Sequence, residues 1–403
     1  MTFDPLEQEG IPIDRQLRTW SEQAVEPYLS EEVDPYTRCR VILMNGVEVE
    51  SIMFSHQFAR HTDVPEILQH LALSRRIEQQ QQTAVNGLIP GEESTLEVTL
   101  GYEQEAVDLT AWLARNEPDP YVRQTLEFGL LEDFDHLHRY ANLYEMLEGK
   151  KAERIVDALT EVMPGRPTIQ EHRHPHDDLR CHTEKHSTHP QTMLNALTII
   201  AAEQQVMNFY MTIGNRYMEP IARALYAEIK EIEEQHVTQY ESLLDPAQTW
   251  IEQWVWHEYN ECYLYHSFMQ QEPDERIRAL WELHLNMEIT QLQTACEMLR
   301  RYEGREPIEI GLPSRLPEPV SFEPNKEFVR QVLASQVDMT TDGTAYGAGP
   351  HSRYETYNST VNGDMVPSEV VIDQHREEFG HEYRLETEGA HPVERLRDPQ
   401  PVH

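Results

Sequence analysis

Apolar positions along this chain fall mostly at helical spacing. From Pro65 to Asn86, Ile67, Leu68, Leu71, Leu73 and Ile77 make one apolar stripe that ends in glutamines and stops at Gly87 and Pro90-Gly91, which predicts a helix. Ser94-Thr-Leu-Glu97 is a capping box and opens the next helix, its serine oxygen accepting from first-turn amides. Breaks at Pro118, at Met218-Glu-Pro220 and at Pro273 then divide three helical stretches near their midpoints, so three helical hairpins are expected. Cys39 to Phe54 reads differently. Two β-prone runs flank Asn45-Gly46, the strongest short hairpin signal, and a small β-hairpin is expected there, with a helix as the alternative.

Outside these stretches the pattern weakens. Residues 1 to 36 are acidic and proline-punctuated, with one helix expected near Asp14 to Tyr28. After Gly311 prolines return, one helix is expected near Glu327 to Gln336, and low hydrophobicity beyond it favours an extended or wrapping tail. The resulting division is an N-terminal extension (1–93), a bundle of two hairpins (94–245) with a crossover at 149–190, a third helical hairpin (246–304) and a polar C-terminal tail (305–403).

The polar positions inside the hairpins carry the chemistry. Glu103-Gln104 recurs as Glu203-Gln204, Asp119-Pro120 as Glu219-Pro220, Asp133-Phe-Asp-His136 as Glu233-Glu-Gln-His236 and Tyr140 as Tyr240, an internal repeat without a gap. Within each copy the two acids lie fifteen residues either side of the break. Antiparallel helices joined there would set the carboxylates side by side, about 22 Å from the turn at ~1.5 Å per residue. His136 and His236 follow an acid by three residues and share its helix face. Carboxylates facing a helix interior are costly to bury without counter-charge, and metal ions commonly offset that cost. Joining the two hairpins about a pseudo-twofold axis gathers four carboxylates and two imidazoles, a ligand set for two transition metals.

Over residues 95 to 245 this pattern resembles the ferritin-like di-metal carboxylate superfamily, which includes bacterioferritins, rubrerythrins and the small subunit of ribonucleotide reductase. The resemblance implies a mainly α fold, a ferritin-like four-helix bundle with a long crossover. It also implies Glu103 and Glu203 as terminal carboxylates, His136 and His236 as terminal imidazoles and Glu233 as a bridging carboxylate. Asp133 departs from the family's usual Glu and is one methylene shorter; Glu132 is a possible substitute, although it points about 100° away on the helix. Two Fe ions, or Mn, are the implied cofactors, with dioxygen or peroxide and an external electron donor as partners. The third hairpin follows the same arithmetic, with Glu258 and Glu288 fifteen residues either side of Pro273. There Gln291 stands where a histidine would be, so the hairpin is expected to pack on the bundle without completing a site. Its Trp250, Trp254, Trp256 and Trp281 are read as packing residues, and His257 and His284 keep a second site open.

Composition narrows the partners. The formal net charge of −38 argues against nucleic acid and anionic membranes, and no stretch approaches the ~18 apolar residues a membrane span needs. The first residues lack a basic region and an apolar run, so a signal peptide is not expected. Four widely spaced cysteines without a Cys-x-x-Cys pair fit a reducing cytoplasm and provide no rubredoxin-type iron site. His172, His174, His176, His182, His186 and His189 crowd the crossover, either as a polar loop or as a metal-handling tract. The polar tail could cover a neighbouring copy in a homo-oligomer. Three functions stay open on these grounds: a di-metal oxidoreductase activating dioxygen or peroxide, an iron-handling ferroxidase or storage protein, and a metal-free scaffold.

Overall fold

The computed structural model describes residues 3–30, 32–344 and 353–397, and among them the regular structure is helical, with an isolated bridge between Val162 and Leu385. Eight long helices form four hairpins: α1 (Thr37–Ala59) with α2 (Pro65–Asn86), α3 (Thr95–Asn116) with α4 (Pro120–Glu148), α5 (Pro190–Ile213) with α6 (Pro220–Glu241), and α7 (Trp250–Gln271) with α8 (Glu275–Met298). A π-helical turn, Leu299–Glu303, extends α8. Three shorter helices follow, α9 (Lys326–Gln336), α10 (Arg353–Asn362) and α11 (Pro367–Phe379).

Two compact units divide the chain. The first contains Met1–Glu92, Cys181–Gln205 and Glu241–Ser321; the second contains Glu93–Arg180, Val206–Tyr240 and Phe322–His403. Hairpins α1–α2 and α7–α8 thus belong to the first unit, α3–α4 and α6 to the second, and α5 runs from one into the other. In the first unit α1 packs on α7 and α2 on α8. In the second, α9 closes a core of Val107, Leu130, Leu131, Phe134 and Met163 with its own Val329, Val332 and Leu333. The described part of the polar tail therefore packs within its own chain.

Cys39 to Phe54 lies within α1 and not in a β-hairpin. From Thr37 to Glu48 every residue is buried, so no face is left polar and the sequence shows no helical period. Gly46 has no turn to make. A Cβ there would stand 2.9 Å from the Gln205 Cβ and 3.0 Å from the Ala201 carbonyl oxygen, so the glycine admits α5 against α1. The helix expected near Asp14 to Tyr28 is reduced to two short turns, Ile13–Arg15 and Trp20–Gln23. The segment between is tied to other helices instead, the Gln16 amide donating 2.9 Å to the Met287 carbonyl.

With α1 recognised, the hairpins show a second repeat. α2 and α6, and likewise α3 and α7, begin and end 155 residues apart. The caps repeat with them: Ser94 and Thr249 open capping boxes with Glu97 and Glu252, Asp119 and Asp274 cap α4 and α8, and Gly149 and Gly304 close them, both at φ 65°. Lys150 holds Glu97 and Arg305 holds Glu252 in the same way. The first two hairpins and the last two are copies of one another.

Candidate metal centre

In the second unit, α4 and α6 bring two imidazoles and their acids together in a dry interior. His136 Nδ1 lies 3.0 Å from Glu233 Oε1 and 4.0 Å from Glu103 Oε2. His236 Nδ1 lies 3.2 Å from Glu233 Oε2 and 3.3 Å from Asp133 Oδ1. The two oxygens of Glu233 thus face different imidazoles, whose ring centres are 6.1 Å apart. None of these side chains is more than 1% exposed. Ligand atoms of Glu103, His136 and Glu233 form one group within 4.8 Å, and those of Asp133, Glu203, Glu233 and His236 form another. The six residues expected from the sequence all fall in these two groups, which could hold metal ions. Asp133 reaches its group despite the shorter side chain.

The far nitrogens of both rings are held by carboxylates. His136 Nε2 is 3.0 Å from Glu171 Oε2, and His236 Nε2 is 2.8 Å from Glu132 Oε2. Each Nε2 is thereby engaged and each Nδ1 turned inward, the arrangement by which metal-binding histidines are usually oriented. Glu132, the possible substitute for Asp133, faces the opposite side of His236. Arg173 Nη1 at 2.7 Å and Arg166 Nη1 at 3.4 Å balance its charge. Burial works against ionisation of Glu132, yet Arg173, His236 and Arg166 pull its carboxyl down to about 2. Burial likewise opposes the charge on His136, and Glu171 and Glu233 raise it well above the ordinary histidine value. Burial raises Glu171 to about 8, with His136 working in the other direction.

Glu171 was missed from sequence, and its position explains why. It sits on a single helical turn, Thr168–Glu171, inside the crossover, where no periodic pattern marks it. Asp135 of α4 anchors that turn, accepting from the Gly165 N–H at 2.9 Å, the Thr168 N–H at 2.9 Å and the Thr168 hydroxyl at 2.7 Å. A Cβ on Gly165 would stand 2.6 Å from the Asp135 nitrogen, so only glycine lets the crossover lie this close to α4. In Asp133-Phe-Asp135-His136 one acid therefore belongs to the imidazole group and the next holds the segment that orients the imidazole.

Aromatic groups line the other side. Tyr210 donates to Glu103 Oε1, and the Tyr140 ring lies 5.3 Å from Tyr210 and 5.0 Å from Tyr226. Tyr240, the counterpart of Tyr140, has its ring 6.4 Å from His236. Of the crossover histidines, His172 is bound 2.9 Å from Glu228, and none of them belongs to a converging ligand group among the described residues.

The first unit holds a third group, Glu258, Glu261 and Glu288, within 4.8 Å. Glu48 and Glu78 lie near them, and all five are at most 2% exposed. Burial first, then mutual repulsion, drives Glu258, Glu261, Glu288 and Glu48 well above the usual carboxylate range, and burial takes Glu78 to about 7. Gln291 donates 2.9 Å to Glu288 Oε2. His284 and His257 stay outside this group: His284 Nδ1 meets the Tyr265 hydroxyl at 3.0 Å, with burial lowering the ring to about 3, and His257 Nδ1 meets Glu50 at 2.9 Å.

No helix among the described residues is long and apolar enough to cross a membrane. No family model, curated protein or solved structure matches this chain.

Proposed function

We propose that the two ligand groups carried by α3 to α6 form a ferritin-like di-metal carboxylate centre and that the protein is an oxidoreductase activating dioxygen or peroxide. Glu103, Asp133, His136, Glu203, Glu233 and His236 would hold its two ions, the two oxygens of Glu233 facing different imidazoles. The observation that carries this reading is the paired restraint of the imidazoles: Nε2 of each is held by an outer carboxylate while Nδ1 faces the inner ones. Donor chemistry fits as well. Four carboxylates with two neutral imidazoles balance two divalent ions, and oxygen-rich ligation suits Fe or Mn. Bound there, two such ions would supply two-electron exchange with dioxygen or peroxide, with reduction by a donor outside the chain.

The chain's own residues then have defined tasks. Glu132 and Glu171 keep both rings aimed, Arg166 and Arg173 prevent Glu132 from adding uncompensated charge, and Tyr210 orients Glu103. Metal analysis of protein purified from cells, joined to oxygen and peroxide consumption assays, tests the reading. Close to two Fe or Mn per chain with repeated turnover supports it. Two Fe with a single oxidation and retention of ferric ion would indicate iron handling instead, and protein that binds neither metal would leave a scaffold.

A further inference from the structure

The 155-residue repeat assigns each of the six proposed ligands a counterpart in hairpins α1–α2 and α7–α8 of the first unit. Glu48 corresponds to Glu203, Glu78 to Glu233, Gln81 to His236, Glu103 to Glu258, Asp133 to Glu288 and His136 to Gln291. Each hairpin of the first unit thus keeps its two glutamates thirty residues apart and replaces the imidazole by a glutamine amide. The contacts are retained too. Gln81 Nε2 reaches across to Glu288 Oε1 at 2.5 Å and to Glu48 Oε1 at 3.4 Å, as its counterpart His236 reaches across to Asp133 and groups with Glu203. Gln291 bonds Glu288 three residues earlier.

This cluster is incompletely satisfied. Gln81 Oε1 and Gln291 Oε1 have no hydrogen-bond partner although both side chains are 2% exposed. One oxygen each of Glu48, Glu78, Glu258 and Glu261 is also buried without a partner. Unmade bonds of buried polar groups are expensive, and an uncharged amide oxygen placed among carboxylates repels them unless a cation stands between. Every ligand atom here is oxygen, and Glu261, which stands where the other copy has Ala106, adds a further carboxylate to Glu258 and Glu288.

We propose that the first unit binds one hard divalent cation, of the Mn2+, Mg2+ and Ca2+ class, through Glu258, Glu261 and Glu288, with the amide oxygens of Gln81 and Gln291 turned toward it. Oxygen-only ligation selects such ions over those that prefer imidazole. The site is separate from the proposed oxidoreductase centre and does not depend on it.

The test uses the full-length chain, chelated and then titrated with Mn2+ in equilibrium dialysis with electron paramagnetic resonance detection. The His136→Ala/His236→Ala variant should still take up one Mn2+ per chain, and adding Glu261→Gln/Glu288→Gln to it should weaken that uptake at least ~100-fold. Competition by Ca2+ and Mg2+ identifies which hard ion is preferred. Because the amide variants are isosteric but could alter folding, Gln291→His provides a second arm. Adding an imidazole should make the first unit take up Co2+ with a visible absorption band that wild-type protein lacks in that unit. Uptake of no Mn2+ by the His136→Ala/His236→Ala protein while it remains folded, or uptake unchanged by Glu261→Gln/Glu288→Gln, would overturn the proposal and leave a protonated, metal-free cluster. Loss of Fe from the second unit alone leaves this result unaffected, so the two readings fail separately.

Discussion

The two units draw on the same hairpin and differ at the position three residues after the second acid. In the second unit that position is His136 and His236, and each ring is braced by an outer carboxylate, Glu171 or Glu132. In the first it is Gln81 and Gln291, and no such brace is needed because an amide has no far nitrogen to engage. Counter-charge differs in the same direction. Arg166 and Arg173 balance Glu132 in the second unit, whereas the strongest charges on Glu48, Glu258, Glu261 and Glu288 are those of other acids. Where an imidazole stands, an outer carboxylate braces it, and at Glu132 two arginines balance that carboxylate.

The contrast breaks most completely at Glu233, whose two oxygens face both imidazoles. Glu233→Gln should reduce Fe or Mn content toward zero, whereas Glu78→Gln, its counterpart in the first unit, should leave the second unit's metal in place; elemental analysis of both proteins decides. Removing the brace should have a smaller effect on metal and a larger one on folding. Glu132→Gln leaves Arg166 and Arg173 facing a neutral amide in a dry interior, a loss of about 3–5 kcal/mol by analogy with broken buried ion pairs, read from urea denaturation. Glu171→Gln strands no arginine, so its main effect should be on metal affinity, about 10–100-fold weaker. Similar denaturation midpoints for the two variants would contradict this account of the braces.

Gly165→Ala tests how the brace is delivered. The added methyl would press on the α4 backbone beside Asp135, displacing the turn that carries Glu171, and should cost about 1–3 kcal/mol together with weaker metal binding. Stability lost without any change in metal affinity would show that Glu171 holds its place independently of the glycine.

The smallest effects should be equal in the two copies. Ser94→Ala and Thr249→Ala each remove a capping oxygen and should cost about 1 kcal/mol apiece, adding in the double variant. The same cap has a pH signature. Burial opposes its charge, but the Ser94 N–H, the Tyr144 hydroxyl and Lys150 bring Glu97 down to about 2. A folded value depressed below the unfolded one gives stability that is complete above the unfolded value near 4.5 and is lost as pH falls toward 2. Glu97→Gln should flatten the acid limb of the stability curve over that window and change little at neutral pH.

The local text by itself determined the hairpins, their breaks, the capping boxes and the shared helix face of acid and histidine, because each depends on residues within about one turn of one another. Equal spacing about the second break was enough to place Glu203 at the level of Glu233, whereas Glu103 falls with His136 and Glu233 and not with Asp133. Tertiary structure decided the rest. α1 was illegible as a helix because a helix buried on every side has no polar stripe, and Asn45-Gly46 imitates a turn where the glycine is there to admit α5. Without α1 the 155-residue repeat could not be seen, and the hairpin with Gln291 appeared to be a leftover copy when it is one half of a unit shared with α1 and α2. The outer carboxylates were hidden for a related reason. Glu171 meets His136 across 35 residues and Glu132 meets His236 across 104, contacts that exist only once the crossover is pinned to α4 and α6 is packed in place.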